Sequence, residues 1–323
     1  MNAAYVTAPG PADTIRYDRL PLPETGPADV LVRVRVVAVD PVDTFVRSGA
    51  YPTPMPSPFV VGRDLVGEVA AAGPGAVGFA PGQRVWCNSL GHAGRQGSFA
   101  QYVAVAADRL YPAPDDVDPA DLAAAAHPAA SAWLALFRHG RLRAGQTVYV
   151  GGGAGNVGSA AVALAAAAGA RVVASASPDH ADEVRALGAA RVIDYRDPDV
   201  PGRLREAAPG GFDVHLDTSG RADLAFSVEL LAHGARLVAM VGLSDTPVLP
   251  VGRLYTRDAS IVGFAISNAS TADLAEAAGG VEWLLRATPW RPRIADRLPL
   301  SRAAEAHRRM EDGQVRGRLV LDV

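Results

Sequence analysis

The sequence predicts an α/β protein with two domains, a barrel-like β region and a doubly wound parallel sheet. Its 323 residues are more than a single hydrophobic core usually organises. Short apolar segments punctuated by glycine and proline fill the first third, whereas helical and strand patterns alternate from about Asp115 onward. We place the first domain at residues 1–120 together with 265–323, and the second at residues 121–264.

The N-terminal region consists of β-like segments. Asp29–Asp40 (DVLVRVRVVAVD) carries valines at alternate positions, and VGEVAAAG, QRVWCN and SFAQYVAVAADRLYPAP follow it between turn residues. The next segment, DVDPADLAAAAHPAASAWLALFRHG, begins with Asp-Pro and ends at a glycine, which is typical of a helix. It marks the change to the second domain.

The second domain alternates strand patterns with helical ones. The apolar strand segments are TVYVGG, ARVVASA, ARVIDY, FDVHLDTSG and ARLVAMVG. Their alternation with helices is typical of a parallel sheet covered on both faces. After ASIVGFAIS come one helix, TADLAEAAGGVEWLLRA, and two strands, RIADRLPL and GRLVLDV. We expect these C-terminal pieces to pack on the N-terminal β region.

The composition excludes several classes of partner. A formal net charge of −3 gives no support for nucleic-acid binding. Cys87 is the single cysteine, so an intrachain disulfide is impossible, which suits the cytoplasm. The N-terminus lacks the features of a signal peptide, and the longest apolar run, AAVALAAAAGA, is too short to span a membrane. We therefore expect a cytoplasmic protein without a membrane partner.

Lysine does not occur in the sequence, since all 31 basic residues are arginine. This excludes a lysine Schiff base, a phosphate-loop lysine and a Tyr-Lys hydride-transfer pair. A single thiol also cannot build a cysteine-rich structural zinc site.

A glycine turn lies between a strand and a helix within TVYVGGGAGNVGSAAVALAAAAGARVVASAS (Thr147–Ser177). Gly153, Gly155 and Gly158 have the G-x-G-x-x-G spacing, with Gly153 beginning the turn and a second strand following near residue 173. Such glycines permit a tight turn, close approach of a pyrophosphate and close packing of helix on strand. We predict that this turn binds a dinucleotide through Gly152, Gly153, Gly155, Asn156, Val157 and Gly158.

The second strand of this domain ends in VVASAS, without the Asp or Glu that takes the ribose hydroxyls in NAD-binding proteins. An aspartate 4 Å from a 2′-phosphate would cost roughly 4 kcal/mol per unit charge. Its absence favours NADPH. Ser175, Ser177 and His180, or a nearby arginine, are candidates to bind the phosphate. Alternatively Ser177 caps the next helix, and both roles can hold.

Several motifs resemble a known family. VVAVDPVDTFVRSGAYP (Val36–Pro52) is similar to the GVNPVD…SGxYP signature of zinc-independent medium-chain reductases. PFVVGRDLVGEVAAAGPGAVGFAPGQRV, ASAWLALF, the glycine turn, ALGAARVIDYRD and GRLVLDV continue the match over nearly the whole chain. The group it resembles most is quinone oxidoreductase, the zeta-crystallin-like branch. The resemblance implies a GroES-like β-barrel catalytic domain, a Rossmann domain, NADPH as cofactor and a homodimer joined through the Rossmann sheet.

The resemblance also implies that no zinc is bound. Zinc-dependent relatives place a Cys where Pro41 stands and a His where Arg63 stands, and these ligands are missing here. Cys87 and His92 are a conceivable metal pair, but a single cysteine beside an apolar strand is more often packed in the core.

Matching positions imply further cofactor contacts. Ser131 stands for the family's threonine beside the nicotinamide, and Tyr195 for its tyrosine beside the 2′-phosphate. His180 replaces a frequent lysine, which is expected to make phosphate binding weaker or pH-sensitive. Four more positions are expected at the cofactor: Ser219, Gly242, Phe264 and Arg318.

Three side chains are candidates for the substrate pocket. Tyr51 is expected either to hydrogen-bond a substrate oxygen or to anchor a loop. Asp40, at the family's asparagine position, is a proton donor if burial raises its pKa, and otherwise a turn cap. Arg63 is a candidate for a substrate carboxylate, with structural pairing as the alternative. The loop Cys87–Phe99 is longer than in the family, and we expect it to line or cover the substrate entrance.

Without a metal, the chemistry that remains is hydride transfer from NADPH to an electron-poor acceptor, a quinone or an α,β-unsaturated carbonyl. One alternative is an enoyl-thioester reductase, which predicts a basic channel; Arg138–Arg143 is only a small hint of one. Another is an NADPH-binding protein with little turnover, in a structural or sensing role. The sequence leaves these alternatives open.

Overall fold

The computed structural model describes residues 1–220, 223–240, 242–243 and 245–323. The strands over these residues are β1 (Asn2–Val6), β2 (Arg16–Arg19), β3 (Asp29–Val39), β4 (Phe59–Val60), β5 (Asp64–Ala72), β6 (Arg84–Cys87), β7 (Tyr102–Ala106), β8 (Tyr111–Pro112), β9 (Thr147–Gly151), β10 (Arg171–Ala176), β11 (Arg191–Asp194), β12 (Phe212–Asp217), β13 (Leu231–Ala239), β14 (Ser260–Gly263), β15 (Ile294–Pro299) and β16 (Arg318–Asp322).

The helices are α1 (Pro41–Ser48), α2 (Pro119–Trp133), α3 (Asn156–Ala167), α4 (Ala181–Ala186), α5 (Val200–Ala207), α6 (Leu224–Glu229), α7 (Val251–Tyr255), α8 (Thr271–Ala287) and α9 (Ala303–Glu311). A π-helical segment, Leu134–His139, continues directly from α2. None of the helices in the described residues has the length and hydropathy that crossing a membrane requires.

The chain divides into two units at boundaries that differ from those we expected. Unit 1 comprises Met1–His127 and Arg291–Val323, and unit 2 comprises Pro128–Trp290. The main difference is α8, which we expected to pack on the N-terminal β region. It lies in unit 2 instead. Its Gly280 packs directly on the Trp133 ring, so closely that a Cβ at this position would come within 2.2 Å of the ring. Only a glycine permits this close packing on the end of α2.

Unit 1 is the β region that the sequence predicts. One sheet has the order β2-β1-β4, and the other has the order β15-β16-β3-β5-β6-β8, with β7 also paired to β3. The alternating valines of β3 form its inner face, since Val30, Val32 and Val34 are buried while Arg33 and Arg35 point outward. The expected return of the C-terminal strands is confirmed, because β16 pairs antiparallel with β3.

Unit 2 is the doubly wound domain that the sequence predicts. Its strands are all parallel in the order β11-β10-β9-β12-β13-β14. Most buried residues of these strands are apolar, with Ser175 and His215 as buried exceptions, as expected of a sheet with both faces covered. Because parallel strands end on one edge, the residues after β9, β10 and β12 lie close together there. This edge carries the glycine turn.

Candidate functional site

The glycine turn joins the end of β9 to the start of α3. Gly152 has a φ of 72°, which favours glycine, and its carbonyl accepts a hydrogen bond from the N–H of Gly155 at 2.9 Å. A Cβ on Gly158 would lie 2.1 Å from the same carbonyl oxygen. Gly152, rather than Gly153 as expected, therefore makes the tight turn. Gly158 allows α3 to approach that turn closely, as predicted.

The start of α3 is open to an anion. Helix α3 begins at Asn156 directly after Gly155, whose lack of a side chain leaves the helix without a side-chain cap. The first N–H groups of a helix have no partner within the helix and lie at the positive end of its dipole. Asn156 and Val157 therefore lie where a pyrophosphate would accept hydrogen bonds, and this geometry fits the predicted dinucleotide.

Ser175 lies beside the glycine turn but uses its hydroxyl within the fold. Its Oγ accepts hydrogen bonds from the Tyr149 hydroxyl at 3.1 Å and from the N–H of Gly152 at 3.2 Å. The N–H of Gly153 donates to the carbonyl of Ser175 at 2.8 Å. Ser175 therefore fastens the turn to β10, and its contact with a phosphate stays a prediction.

The ends of β10 and β11 form a second part of the site. Ala176 pairs with Asp194 in parallel register, so the residues that follow these strands are neighbours on the same edge. After β10 come Ser177, which is buried, and His180, whose Nδ1 lies 3.4 Å from the Glu183 carboxylate. After β11 come Tyr195 and Arg196.

Tyr195 and Arg196 form an exposed cation–π contact at this edge. The Tyr195 side chain is half exposed, and the guanidinium carbon of Arg196 lies 5.1 Å from the centre of its ring. The sequence analysis expected a nearby arginine at the phosphate but did not name Arg196. Its position directly after Tyr195, the tyrosine expected beside the 2′-phosphate, could have identified it.

The remaining expected cofactor residues of unit 2 lie at other places on the domain. The N–H of Ser219 donates to the Asp217 carboxylate at 2.8 Å, just after β12. The N–H of Gly242 donates to the Asp245 carboxylate at 2.9 Å. Phe264 stacks on the His139 ring with centroids 4.5 Å apart, and Ser131 is buried within α2. Their contacts with a cofactor stay predictions.

A buried ionic cluster lies at the strand ends of unit 1. Strand β16 pairs with β3 so that Leu319 faces Val39, and β3 pairs with β5 so that Ala38 faces Asp64. This register brings together three charged side chains. Arg318 Nη2 lies 2.6 Å from Asp40 Oδ1 and 3.8 Å from Asp64 Oδ2, and the three residues are no more than 1% exposed.

Ionisation in this cluster distinguishes between the two roles expected for Asp40. Burial is the largest single effect and works against the charged form, but the charges of Arg318 and His127 and the hydrogen bonds from Asp64 and Arg318 together outweigh it and lower the pKa of Asp40. Asp40 is thus an ionised carboxylate and not the proton donor that a raised pKa would have allowed. Asp43 accepts a hydrogen bond from the N–H of Asp40 at 2.9 Å at the start of α1, so this segment forms the expected turn cap.

Two neighbouring carboxyl groups shift in the opposite direction. Burial, and then the negative charge of Asp40, raise the pKa of Asp43 to about 8. Burial and the charge of Asp40 also raise the pKa of Asp64 well above its usual range. The cluster therefore holds one ionised carboxylate on Arg318 and carboxyl groups that retain protons near neutral pH. Asp43 was not recognised in the sequence as part of a site.

Among the described residues, Asp40, Asp64 and His127 bring possible metal-ligand atoms within 4.8 Å of one another. This set does not fit a catalytic zinc, because the guanidinium of Arg318 already forms ion pairs with two of the three possible ligands, Asp40 and Asp64. A cation placed there would meet a buried positive charge. The thiol of Cys87 is buried, and burial raises its pKa to about 12, so it does not supply a thiolate.

Tyr51 and Arg63, the other substrate-pocket candidates, both contact the long loop, in which the N–H of Leu90 donates to the Arg63 carbonyl at 3.3 Å. The Tyr51 ring stacks on His92 with centroids 5.6 Å apart and planes within 5°. The loop is also held by hydrogen bonds from the N–H of Ala93 to Thr53 Oγ1 and of Gly94 to the Pro54 carbonyl. Arg63 is 1% exposed, and its Nε and Nη2 have no hydrogen-bond partner among the described residues. The loop thus packs on the Tyr51 segment.

Comparisons with known proteins agree with this architecture. Residues 26–115 match the model of the alcohol dehydrogenase GroES-like domain, and residues 156–281 match that of zinc-binding dehydrogenase. Quinone oxidoreductase of Mus musculus is 29% identical over 307 residues, which cover 94% of this chain and 91% of the relative.

Solved structures match the whole chain. A structure described as NAD-dependent alcohol dehydrogenase has a TM-score of 0.87 at 31% identity, with 100% of both chains covered. A mycobacterial protein complexed with NADPH has a TM-score of 0.85 at 26% identity, also with 100% of both chains covered. With the GroES-like and Rossmann folds described above, these matches show that the chain belongs to the medium-chain dehydrogenase/reductase family and is an oxidoreductase related to quinone oxidoreductases.

Proposed function

We propose that this protein is an NADPH-dependent reductase that transfers hydride to a quinone or an α,β-unsaturated carbonyl without zinc. The observation that carries the proposal is the glycine turn before α3, a helix whose first residues have no side-chain cap. Gly158 lets this helix approach the Gly152 carbonyl, where a Cβ would clash. When bound, NADPH supplies the hydride. The chain's own residues bind and orient the cofactor and the acceptor.

The preference for NADPH is supported by the charges at the ends of β10 and β11. Ala176 and the residues directly after it carry no carboxylate until Asp179. Asp194, which ends β11, accepts a hydrogen bond from the N–H of Arg196 at 3.0 Å, and the Arg196 guanidinium lies over the exposed Tyr195 ring. A guanidinium suits a 2′-phosphate, because it donates several hydrogen bonds in a plane. We infer that Arg196, with His180, binds this phosphate.

Steady-state kinetics with NADPH and NADH test this role of Arg196. A charged hydrogen bond is worth about 1.5–3 kcal/mol, so Arg196→Gln should raise KM for NADPH about tenfold to hundredfold and leave KM for NADH unchanged. Arg143→Gln, another exposed arginine of unit 2, is the matched control and should change neither value. An equal change for both cofactors in Arg196→Gln would contradict the role.

The acceptor class is inferred from the buried cluster. Arg318 neutralises Asp40 at the place where possible metal ligands converge among the described residues, so this cluster is not suited to hold a Lewis-acid metal. An acceptor must then be electron-poor by itself, and the protein contributes positioning and exclusion of water. Tyr51 is the candidate to donate a hydrogen bond to the acceptor oxygen, since its ring is held by stacking on His92 and its side chain is only partly buried.

A panel of acceptors tests the activity directly. Loss of absorbance at 340 nm with NADPH should occur with a benzoquinone or an enone, and dialysis against EDTA should leave the rate unchanged. Faster consumption with an enoyl-CoA would favour an enoyl-thioester reductase instead. Tight NADPH binding without consumption of any acceptor would favour a binding protein with little turnover. Either of these results would overturn the proposal.

We also propose a homodimer that forms through the Rossmann sheet. Strand β14 is at the edge of its sheet, and large apolar side chains near it are exposed, among them Val251 and Tyr255 of α7. Exposed apolar groups beside an open strand edge are typical of an interface. Light scattering should give twice the chain mass of 33.4 kDa, and Tyr255→Asp should shift it toward the monomer. A monomeric wild-type protein would contradict this.

A further inference from the structure

Unit 1 contains a cavity whose lining includes none of the substrate-pocket candidates Asp40, Tyr51 and Arg63. Its volume is about 480 Å³, within the range of small-molecule sites. Strand β7 forms one wall, and Leu20 and Pro23 of the segment after β2 form another. Val60 and Leu90 line the interior, so most of the cavity surface is apolar.

The walls of this cavity are held in place by the side chain of Gln96. Its Oε1 accepts a hydrogen bond from the N–H of Val60 at 2.7 Å, and its Nε2 donates to the carbonyl of Pro58 at 2.9 Å. The N–H of Gly97 donates to the Val60 carbonyl at 2.8 Å. The long loop is thereby fixed to β4, and the cavity is a built feature of the domain.

Two arginines line the same cavity without a matching acid. Arg95 donates from Nε to the Ser89 carbonyl at 3.3 Å, and neither Arg95 nor Arg109 forms an ion pair within the described part of the chain. Burial and then the positive charges of Arg109 and Arg63 lower the pKa of Arg95. Asp108, next to Arg109, acts in the opposite direction but only as the smallest of these effects, so positive charge is concentrated at this end of the cavity.

The two acidic residues of the lining do not remove this excess. Asp29 accepts a hydrogen bond from the N–H of Gly26 at 2.9 Å, and Glu24 is exposed to solvent. Neither lies within ion-pair distance of Arg95 or Arg109, as far as the described residues go. The charge of the site is thus complementary to an anion, and its walls are complementary to an apolar chain.

We propose that this cavity binds an aliphatic carboxylate, whose carboxylate is held by Arg95 and Arg109 and whose chain lies along Leu20, Val60 and Val103. The two guanidinium groups offer enough donors to satisfy both carboxylate oxygens. Burial of the chain against apolar walls supplies the remaining free energy. The site is independent of hydride transfer and remains if the proposed reaction is wrong.

Isothermal titration of the full-length protein with decanoate tests the site. Decanoate should bind, decanol of the same length should bind at least tenfold more weakly, and acetate should give no measurable heat. Equal affinities for decanoate and decanol would show that the arginines take no part. Absence of decanoate binding would overturn the proposal outright.

Variants locate the binding. Arg95→Gln and Arg109→Gln should each weaken decanoate at least tenfold, and Ala104→Trp should abolish binding by filling the cavity from β7. Arg16→Gln, an exposed arginine on β2, should leave the affinity unchanged. Circular dichroism and thermal unfolding show which variants are folded. Unchanged affinity in both folded arginine variants would assign any binding to another place and refute the proposal.

Discussion

Arg318 connects three strands through buried charge. It begins β16, Asp40 follows β3 and Asp64 begins β5, so the ion pairs join the C-terminal strand to the centre of the unit 1 sheet. Removing the arginine would leave the ionised Asp40 buried without a counter-charge, and such a loss is far more costly than the loss of a surface pair. The arginine is therefore expected to be essential to the stability of this unit.

Arg318→Met should lower the free energy of unfolding by about 3–5 kcal/mol, measured by urea denaturation. Asp40→Asn combined with Arg318→Met should recover a large part of this loss, because the orphaned charge is then gone. Arg297→Met is the matched control, since Arg297 pairs with Asp322 on neighbouring strands while half exposed, and should cost about 1 kcal/mol or less. Equal losses in the two single variants would contradict a special role for Arg318.

Sequence alone identified part of this cluster. Asp40, Arg63 and Arg318 were singled out by matching positions of a known family, Asp40 at its asparagine, Arg63 at the histidine of zinc-dependent relatives and Arg318 on the C-terminal strand. Their mutual contact depends on the register of β16 on β3, which joins distant parts of the chain. No local pattern encodes that register, so His127 and Asp43 were missed, and the sequence left open whether Asp40 is a proton donor or a turn cap.

At the scale of elements, the strand–turn–helix unit around β9 and α3 was predictable. Apolar periodicity and glycine spacing together indicated a turn that binds a dinucleotide, and the structure has a strand and a helix at these places. The position of the left-handed residue was not predictable, because three consecutive glycines can each adopt it. The hydrogen bond from Gly153 to β10 selects Gly152 for that conformation.

Gly158→Ala tests the packing of this turn. The added Cβ would lie 2.1 Å from the Gly152 carbonyl oxygen, so α3 must shift, and the free energy of unfolding should fall by about 1–3 kcal/mol. NADPH affinity should fall as well, because the helix start moves with α3. Thermal unfolding and fluorescence titration with NADPH measure the two effects.

Gly279→Ala is the control for that substitution. Gly279 lies on α8 with nothing near the place of its Cβ, and alanine in a helix is favoured over glycine by about 1 kcal/mol. This variant should be as stable as wild type or more stable, with unchanged NADPH affinity. Wild-type stability and affinity in Gly158→Ala would show that the close approach in the turn is not required.

At the scale of the whole molecule, fold class was predictable and the division into units was not. Strand spacing in the first third and alternation in the rest follow from local periodicity, and both domain types are confirmed. The apolar face of α8 shows that the helix packs on something but not on which unit. The close contact of Gly280 with Trp133 places α8 in unit 2, and only the tertiary structure shows that contact.

Stability at acid pH reflects buried histidines of both units. Burial lowers the pKa of His127 and of His215 to about 4, and burial with the charge of Arg47 lowers the pKa of His307 to about 3. An unfolded histidine has a pKa near 6.5. Since the unfolded chain binds these protons first, each histidine contributes stability above that pKa that is lost as pH falls toward the folded value. The raised pKa values of Asp43 and Asp64 act in the opposite sense.

His307→Phe isolates one histidine, because the contributions of all other groups cancel in the comparison with wild type. His307 is fully buried against Phe99, and neither ring nitrogen has a hydrogen-bond partner among the described residues, so an apolar ring of similar size should fit. The variant should gain about 1.4 kcal/mol over wild type for each pH unit below about 6, as one proton is bound on unfolding. Urea denaturation at pH 7, 6 and 5 measures the difference, and a difference independent of pH would mean that folding does not lower the pKa of His307.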